Sequence, residues 1–256
     1  MAAEDFDFLF LIIARGGSKG VPRKNLRRIG GQSLIGFKAV SALRSRYCAR
    51  VILSTEDAEI QEEGRRLGVE IPFTRPADLA TDQASSDAVV LHAMDWIERN
   101  ERRRYDAIIL LEAASPFATA ADYDRAVEIF LERDANLVVG MREMEVSSCF
   151  TGPISANGSI SDIVLKIQGL ASVRRQDIAQ DYTMNGAFYL MRWDWYRKTG
   201  ARYSDPANSY GVVMDRIHSI EIDSPMDLAF AEFLVQRGDL DMSPWLAGQP
   251  HQEISQ

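Results

Sequence analysis

Phe8-Leu-Phe-Leu-Ile-Ile-Ala14 runs directly into Arg15-Gly16-Gly17-Ser18-Lys19-Gly20-Val21-Pro22-Arg23-Lys24-Asn25. The first seven residues are all apolar, as in a strand buried on both faces of a parallel sheet. The following stretch combines three glycines with four cationic side chains. In open α/β sheets ligands bind beyond the carboxyl ends of the strands, where this loop falls. Glycines let backbone amides approach phosphate oxygens, and arginine and lysine add charge. The spacing fits neither GxxxxGK[ST] nor GxGxxG. A solvated basic turn is the plain alternative, and the loop's position after a buried strand disfavours it.

Outward from this point, strands and helices alternate. Ser33 to Arg46 is read as a helix, Val51 to Leu53 as a strand and Asp57 to Leu67 as a helix stopped by Gly68. Val69 to Phe73 is a short strand, and Ser85 to Arg99 a helix with Val89, Val90, Ala93 and Ile97 on one face. Ala107 to Leu111 is an apolar strand, Thr119 to Glu132 a helix and Asn136 to Met141 the fifth strand. The order predicts an α/β fold: a doubly wound, mostly parallel, Rossmann-like sheet with right-handed crossovers.

After about residue 142 the pattern changes. Short β-like pieces are expected at Cys149 to Ile154, Ser159 to Ile167 and Ala187 to Met191. They suggest a small hairpin-rich dimerisation excursion over about 142–200, inside a single domain of residues 1–240. A last helix is expected from Ser224 to Gln236, followed by a loose tail that includes 241–256. The aromatic residues Phe188, Tyr189, Trp193, Trp195 and Tyr196 exceed what a short hairpin buries, which points to a homodimer.

Composition narrows the function classes. Of 256 residues, 29 are Lys or Arg and 37 are Asp or Glu, for a formal net charge of −8. That balance argues against nucleic-acid binding and against a polybasic membrane arm, while allowing a locally basic site. The apolar run Phe8 to Ala14 is far shorter than a membrane span, and no basic region precedes it. Two widely spaced cysteines and three histidines argue against a Cys/His zinc site and fit a reducing, cytoplasmic setting.

The run ARGGSKG-x-P-x-KN resembles the signature of cytidylyltransferases that activate sialic and related 3-deoxy-ulosonic acids, the N-acylneuraminate cytidylyltransferase family. The resemblance covers roughly residues 8 to 238. Ser54-Thr-Glu-Asp57, Arg75-Pro-Ala-Asp-Leu-Ala-Thr-Asp82, Ser115-Pro116, Arg174-Arg-Gln-Asp177, Asn185-Gly186 and Ile222-Asp-Ser-Pro225 support it. It implies CTP and a nonulosonic acid as substrates, a CMP-sugar and pyrophosphate as products, and Mg²⁺ (or Mn²⁺). By resemblance, Arg15 and Lys19, within the Arg15-Gly16-Gly17-Ser18-Lys19 loop, hold the triphosphate. Asn25, Arg75 and Ser86 complete the nucleotide pocket. Arg174 and Arg175 act on the reacting groups. Glu112, Ser115, Gln176 and Asn185 meet the sugar.

Glu221 and Asp223 lie two residues apart in an extended segment, so both carboxylates can face one cation. The family commonly has two aspartates there. The plainer alternative is an exposed Glu221 with Asp223 capping the next helix.

Two departures bear on substrate choice. Glu112 stands where the family has Gln, replacing an amide with an acceptor-only carboxylate. Met184 replaces an acidic residue before Asn185-Gly186. These leave open another ulosonic acid (the KDO type), an amino-sugar variant, or a non-catalytic nucleotide-binding homologue. His92 is read as a helix residue rather than a base, and His218 as a neighbour of the acidic pair at most. Asp122 and Asp124 are read as first-turn helix acids.

Overall fold

The computed structural model describes residues 6–170, 172, 174 and 177–246. The apolar run forms strand β1 (Phe8–Ile13), an interior strand of the main sheet. In sequence order there follow a two-residue hairpin, β2 (Arg28–Ile29) and β3 (Gln32–Ser33), then helix α1 (Leu34–Arg44), β4 (Cys48–Ser54), α2 (Ala58–Arg66) and α3 (Ser86–Asn100). Next come β5 (Ala107–Glu112), α4 (Ala120–Glu132), β6 (Leu137–Glu143), α5 (Ser161–Gln168), β7 (Tyr182–Arg192), α6 (Trp193–Thr199), β8 (Ser209–Val213) and α7 (Pro225–Arg237).

The main sheet has six strands in the order β4-β1-β5-β7-β6-β8. β1 pairs in parallel with β4 and β5, and β6 pairs in parallel with β8. β7 is antiparallel to both β5 and β6, so a single reversed strand interrupts a parallel sheet. The α/β, mostly parallel architecture expected from the sequence is therefore present. Val69 to Phe73 adds only one parallel bridge, Glu70 to Ile52, rather than a full strand.

Helix starts follow from local chemistry. Ser33, Asp57 and Ser85 accept backbone N–H bonds at the heads of α1, α2 and α3. Reciprocal capping boxes, Thr119 with Asp122 and Ser224 with Asp227, begin α4 and α7. One face of the sheet packs Phe8, Phe10 and Ile12 against Ile35, Tyr123, Val127 and Phe130. The other packs Leu9, Leu11 and Ile108 against Val90, Met94, Ile97 and Trp193.

Three expectations change. The excursion is shorter and not hairpin-rich: Ser161–Gln168 is helical, and Cys149 lies in a single 3-10 turn, Ser148–Phe150. Ile160, Ile163, Val164 and Ile167 repeat at helical spacing, which explains α5. The segment Ala187 to Met191 is not part of an excursion but the core of β7. Phe188, Tyr189, Trp193 and Tyr196 are buried within the same chain, so they supply no surplus aromatic surface for a partner. Nor are residues 239–246 loose, while the rest of the expected tail, 247–256, lies outside the described residues. Trp245 is buried against Phe37 and Phe117, and its indole N–H donates to Ser41 Oγ at 2.7 Å.

Candidate active site

A cleft of about 410 Å³ opens at the carboxyl ends of β1 and β5. Arg15, Ser18, Lys19, Gly20, Lys24 and Asn25 form one wall; Arg75, the 79–84 segment and Ser86 form another; Glu112, Ala113, Ala114 and Asp223 close it. Most of the predicted nucleotide-binding residues therefore line one cavity, together with Glu112 and Asp223. Gly16 and Gly17 belong to the same loop but do not line it.

The loop is braced at several points. Asn25 is buried, and its amide donates to the Arg15 carbonyl at 2.8 Å. Gly16 N–H donates to Glu56 Oε1 at 2.7 Å. Arg23 adopts a left-handed backbone, and its guanidinium grips Asp57 at 2.6 and 3.2 Å. Gly20 packs directly on the Asp223 backbone: a Cβ there would lie 1.9 Å from the Asp223 carbonyl oxygen. Only glycine permits that approach. Arg75 is 4% exposed and donates to Ser54 Oγ and to the carbonyls of Ala14 and Ser54. It ties the ends of β1 and β4 together. Burial lowers its guanidinium to about 10.

On the second wall, Ser85 caps α3 and Ser86 Oγ donates to Glu112 Oε1 at 2.6 Å. Ser86, expected to serve the nucleotide, is thus joined to Glu112, expected to serve the sugar. Asp82 was missed by the sequence reading. Its carboxylate takes Arg15 Nη1 and Lys19 Nζ, each at 2.6 Å. Lys24 Nζ pairs with Asp223 Oδ1 at 2.8 Å.

Ile222 is buried between Glu221 and Asp223, and its N–H donates to the Ala114 carbonyl at 2.7 Å. The two carboxylates thus share the side opposite Ile222. Glu221 is exposed as a residue, yet its carboxyl turns toward Gly186, whose Cβ position would be 3.7 Å from Oε1. Desolvation first, then the charge of Asp223, raises the Glu221 carboxyl above its ordinary value, and Glu112 and Asp227 add to this. Asp223 does not cap α7; Ser224 does. Among the described residues no group of three or more His, Cys, Asp or Glu is placed to hold a metal. The pair nevertheless offers what a hard divalent cation takes: oxygen donors crowded by like charge.

The sugar-side residues divide. Ser115 is buried, its hydroxyl has no hydrogen-bond partner among the described residues, and it abuts Gly186. Asn185 is also buried, but its amide is engaged by Ser219 Oγ at 2.9 Å, and its carbonyl oxygen accepts the Ala187 N–H at 3.1 Å. It acts as a strut and does not line the cleft. Arg174 is exposed and away from the cleft lining, and Arg175 and Gln176 lie outside the described residues. Lys38, also missed, is fully buried on α1 and donates to the Ala187 carbonyl at 2.8 Å. His92 packs against Phe73, and burial lowers its imidazole.

A glycine- and cation-rich loop facing Glu112 and Asp223 at the carboxyl edge of a mostly parallel sheet is the arrangement of a nucleotide-binding α/β enzyme. The cytidylyltransferase family model matches residues 9–197, and the chain belongs to that family. It is a nucleotidyltransferase. It is 30% identical to a pseudaminic acid cytidylyltransferase of Campylobacter jejuni, over 88% of this chain and 95% of that protein. It is 28% identical to the CMP-N,N'-diacetyllegionaminic acid synthase of Legionella pneumophila, over 89% and 96%. Among solved structures, a CMP:2-keto-3-deoxy-manno-octonic acid synthetase complexed with CTP superposes with a TM-score of 0.64. That match covers 91% of this chain and 99% of that one at 16% identity, and it supports the fold.

Proposed function

We propose that the protein transfers CMP from CTP to the anomeric hydroxyl of a sialic-acid-like nonulosonic acid. The observation that carries this reading is the single cleft in which Arg15, Lys19 and Asn25 face Glu112 and Asp223. The relatives act, by name, on pseudaminic and legionaminic acids, which are sugars of this class.

In the proposed reaction the sugar hydroxyl attacks the α-phosphorus in line, an oxygen–phosphorus bond forms, and pyrophosphate leaves. The hydroxyl proton passes to solvent or to a nearby carboxylate. Arg15 and Lys19 neutralise the phosphate oxygens, and the braced loop holds them where that charge develops. Glu221 and Asp223 would hold Mg²⁺ or Mn²⁺, which would supply further charge neutralisation at the phosphates. Lys24 keeps Asp223 oriented. Arg174, Arg175 and Gln176 are proposed to approach the acceptor from the segment between α5 and β7.

A homodimer in cytoplasm is part of the proposal. The dimer is supported by α5, where Val164 and Leu165 are exposed, together with Ile154 and Ile160 just before it. No helix among the described residues is long and apolar enough to cross a membrane.

The test is incubation of the protein with CTP, Mg²⁺ and each of a panel of nonulosonic and octulosonic acids, with CMP-sugars detected by mass spectrometry. A product with a nonulosonic acid supports the reading. Product with octulosonic acids alone moves it to that class, and no product with any acid favours a binding protein.

A further inference from the structure

Every cationic side chain of the 15–24 loop rests on a carboxylate, but the pairings differ in kind. Arg23 holds Asp57, which is only 17% exposed and also caps α2 through the N–H groups of Glu59 and Ile60. That carboxylate is committed to a helix start as well as to Arg23. Lys24 holds Asp223 beside the floor of the cleft. Arg15 and Lys19 both hold Asp82, which belongs to the turn before α3 on the opposite wall. Its carboxylate is 41% exposed and Lys19 is 81% exposed. An exposed pairing of this sort exchanges readily with other anions.

The two oxygens of Asp82 meet one cation each at 2.6 Å, spanning the cleft from wall to wall. They engage Arg15 Nη1 and Lys19 Nζ, groups that a phosphate would use. We propose that Asp82 is an internal competitor for the nucleotide's phosphates, standing in for a phosphate on Arg15 and Lys19. Only a ligand whose phosphate oxygens replace both contacts then holds the loop. This rests on the reading that Arg15 and Lys19 receive the phosphates of CTP. It weakens the hold of the loop on phosphates and gives Arg15 and Lys19 a partner once those ligands depart.

Asp82→Asn keeps the shape and removes the charge, so it isolates the competition. Calorimetric titration would compare the wild type and this variant with inorganic tripolyphosphate, CTP and cytidine. Tripolyphosphate and CTP should bind the variant about three- to tenfold more tightly, the scale expected for one or two exposed ion pairs. Cytidine, which brings no phosphate, should change by less than about twofold on the same scale. Unchanged or weaker binding of tripolyphosphate and CTP by the folded variant would overturn the proposal. So would an equal shift for all three ligands, or no phosphate binding by either protein. The acceptor reading fails by a different result: wild-type protein that binds CTP and tripolyphosphate but turns over none of the sugar acids.

Discussion

Lys24 Nζ donates to Asp223 Oδ1 across 2.8 Å, although 199 residues separate them in the chain. That contact joins the loop after β1 to the segment before α7, the two parts of the cleft with opposite charge. It is reinforced below by the close fit of Gly20 on the Asp223 carbonyl. Loop position and carboxylate position are therefore one variable.

Gly20→Ala tests this coupling. A methyl group 1.9 Å from a backbone oxygen cannot be accommodated, so the loop or the 221–223 segment must shift. The expected outcome is a rise of at least tenfold in the KM for CTP, with a stability loss of about 1–3 kcal/mol, the usual cost of overpacking. Steady-state kinetics and urea denaturation measure both. Unaltered kinetics would mean that the contact is not needed for the site.

Glu221→Gln should separate stability from activity. The Glu221 carboxyl is raised, so in the pH window just above the ordinary glutamate value the folded protein binds more protons than the unfolded chain. Stability contributed there falls as pH rises. The glutamine variant, measured without divalent cations, should melt at a higher temperature than wild type at pH 7 and at the same temperature at pH 4. With CTP, Mg²⁺ and acceptor its turnover should be at least tenfold lower. A variant that melts no higher at pH 7 would contradict the crowding of carboxylates, and one with full turnover would remove Glu221 from the cation site.

Much of this site could be read in advance for a physical reason. The run Phe8 to Ala14 and the loop behind it are contiguous, so apolar burial and local charge sit side by side in the chain. Helix ends also depend on nearby residues, and Ser33, Ser85, Thr119 and Ser224 marked them to within a residue or two. β7 was misplaced because its insertion between β5 and β6 is a long-range pairing with no local signature. The same limit hid Asp82, Glu56 and Lys38: each looks ordinary in its own segment and gains its role from a distant partner. Only the density of carboxylates in the Ser54–Asp57 and Arg75–Asp82 stretches hinted that the loop's cations would be paired internally.

Glu112→Gln addresses acceptor choice. Glu112 ends β5, lines the cleft and accepts from Ser86, and it forms no ion pair with an arginine among the described residues; the Arg202 guanidinium, packed on Tyr189, feels its charge from farther off. An unpaired carboxylate at that rim repels a sugar carboxylate and attracts an ammonium group. The variant should therefore shift kcat/KM toward N-acyl acceptors over amino acceptors by about fivefold or more, the scale of one charge-assisted hydrogen bond. Equal ratios in wild type and variant would exclude a role for Glu112 in reading an amine.

Lys38→Met concerns a charge beneath the site. Lys38 is fully buried, donates to the Ala187 carbonyl and lies 6.0 Å from the centre of the Tyr123 ring. Burial is the main cause that brings its ammonium down to about 7, against the opposing pull of Asp122 and Glu112. The unfolded chain keeps that proton to near its ordinary value. Between about pH 7 and pH 10 the unfolded state thus binds more protons, and the contribution of Lys38 to stability rises with pH. Methionine has no proton to lose, so the variant lacks this rise. Relative to wild type, its stability should fall by up to about 1.4 kcal/mol for each pH unit across that window, the limit for one proton. Urea denaturation at pH 7, 8 and 9 measures the slope. A constant difference between the two proteins over that range would show that Lys38 does not titrate there, and that its ammonium stays charged against the Ala187 carbonyl.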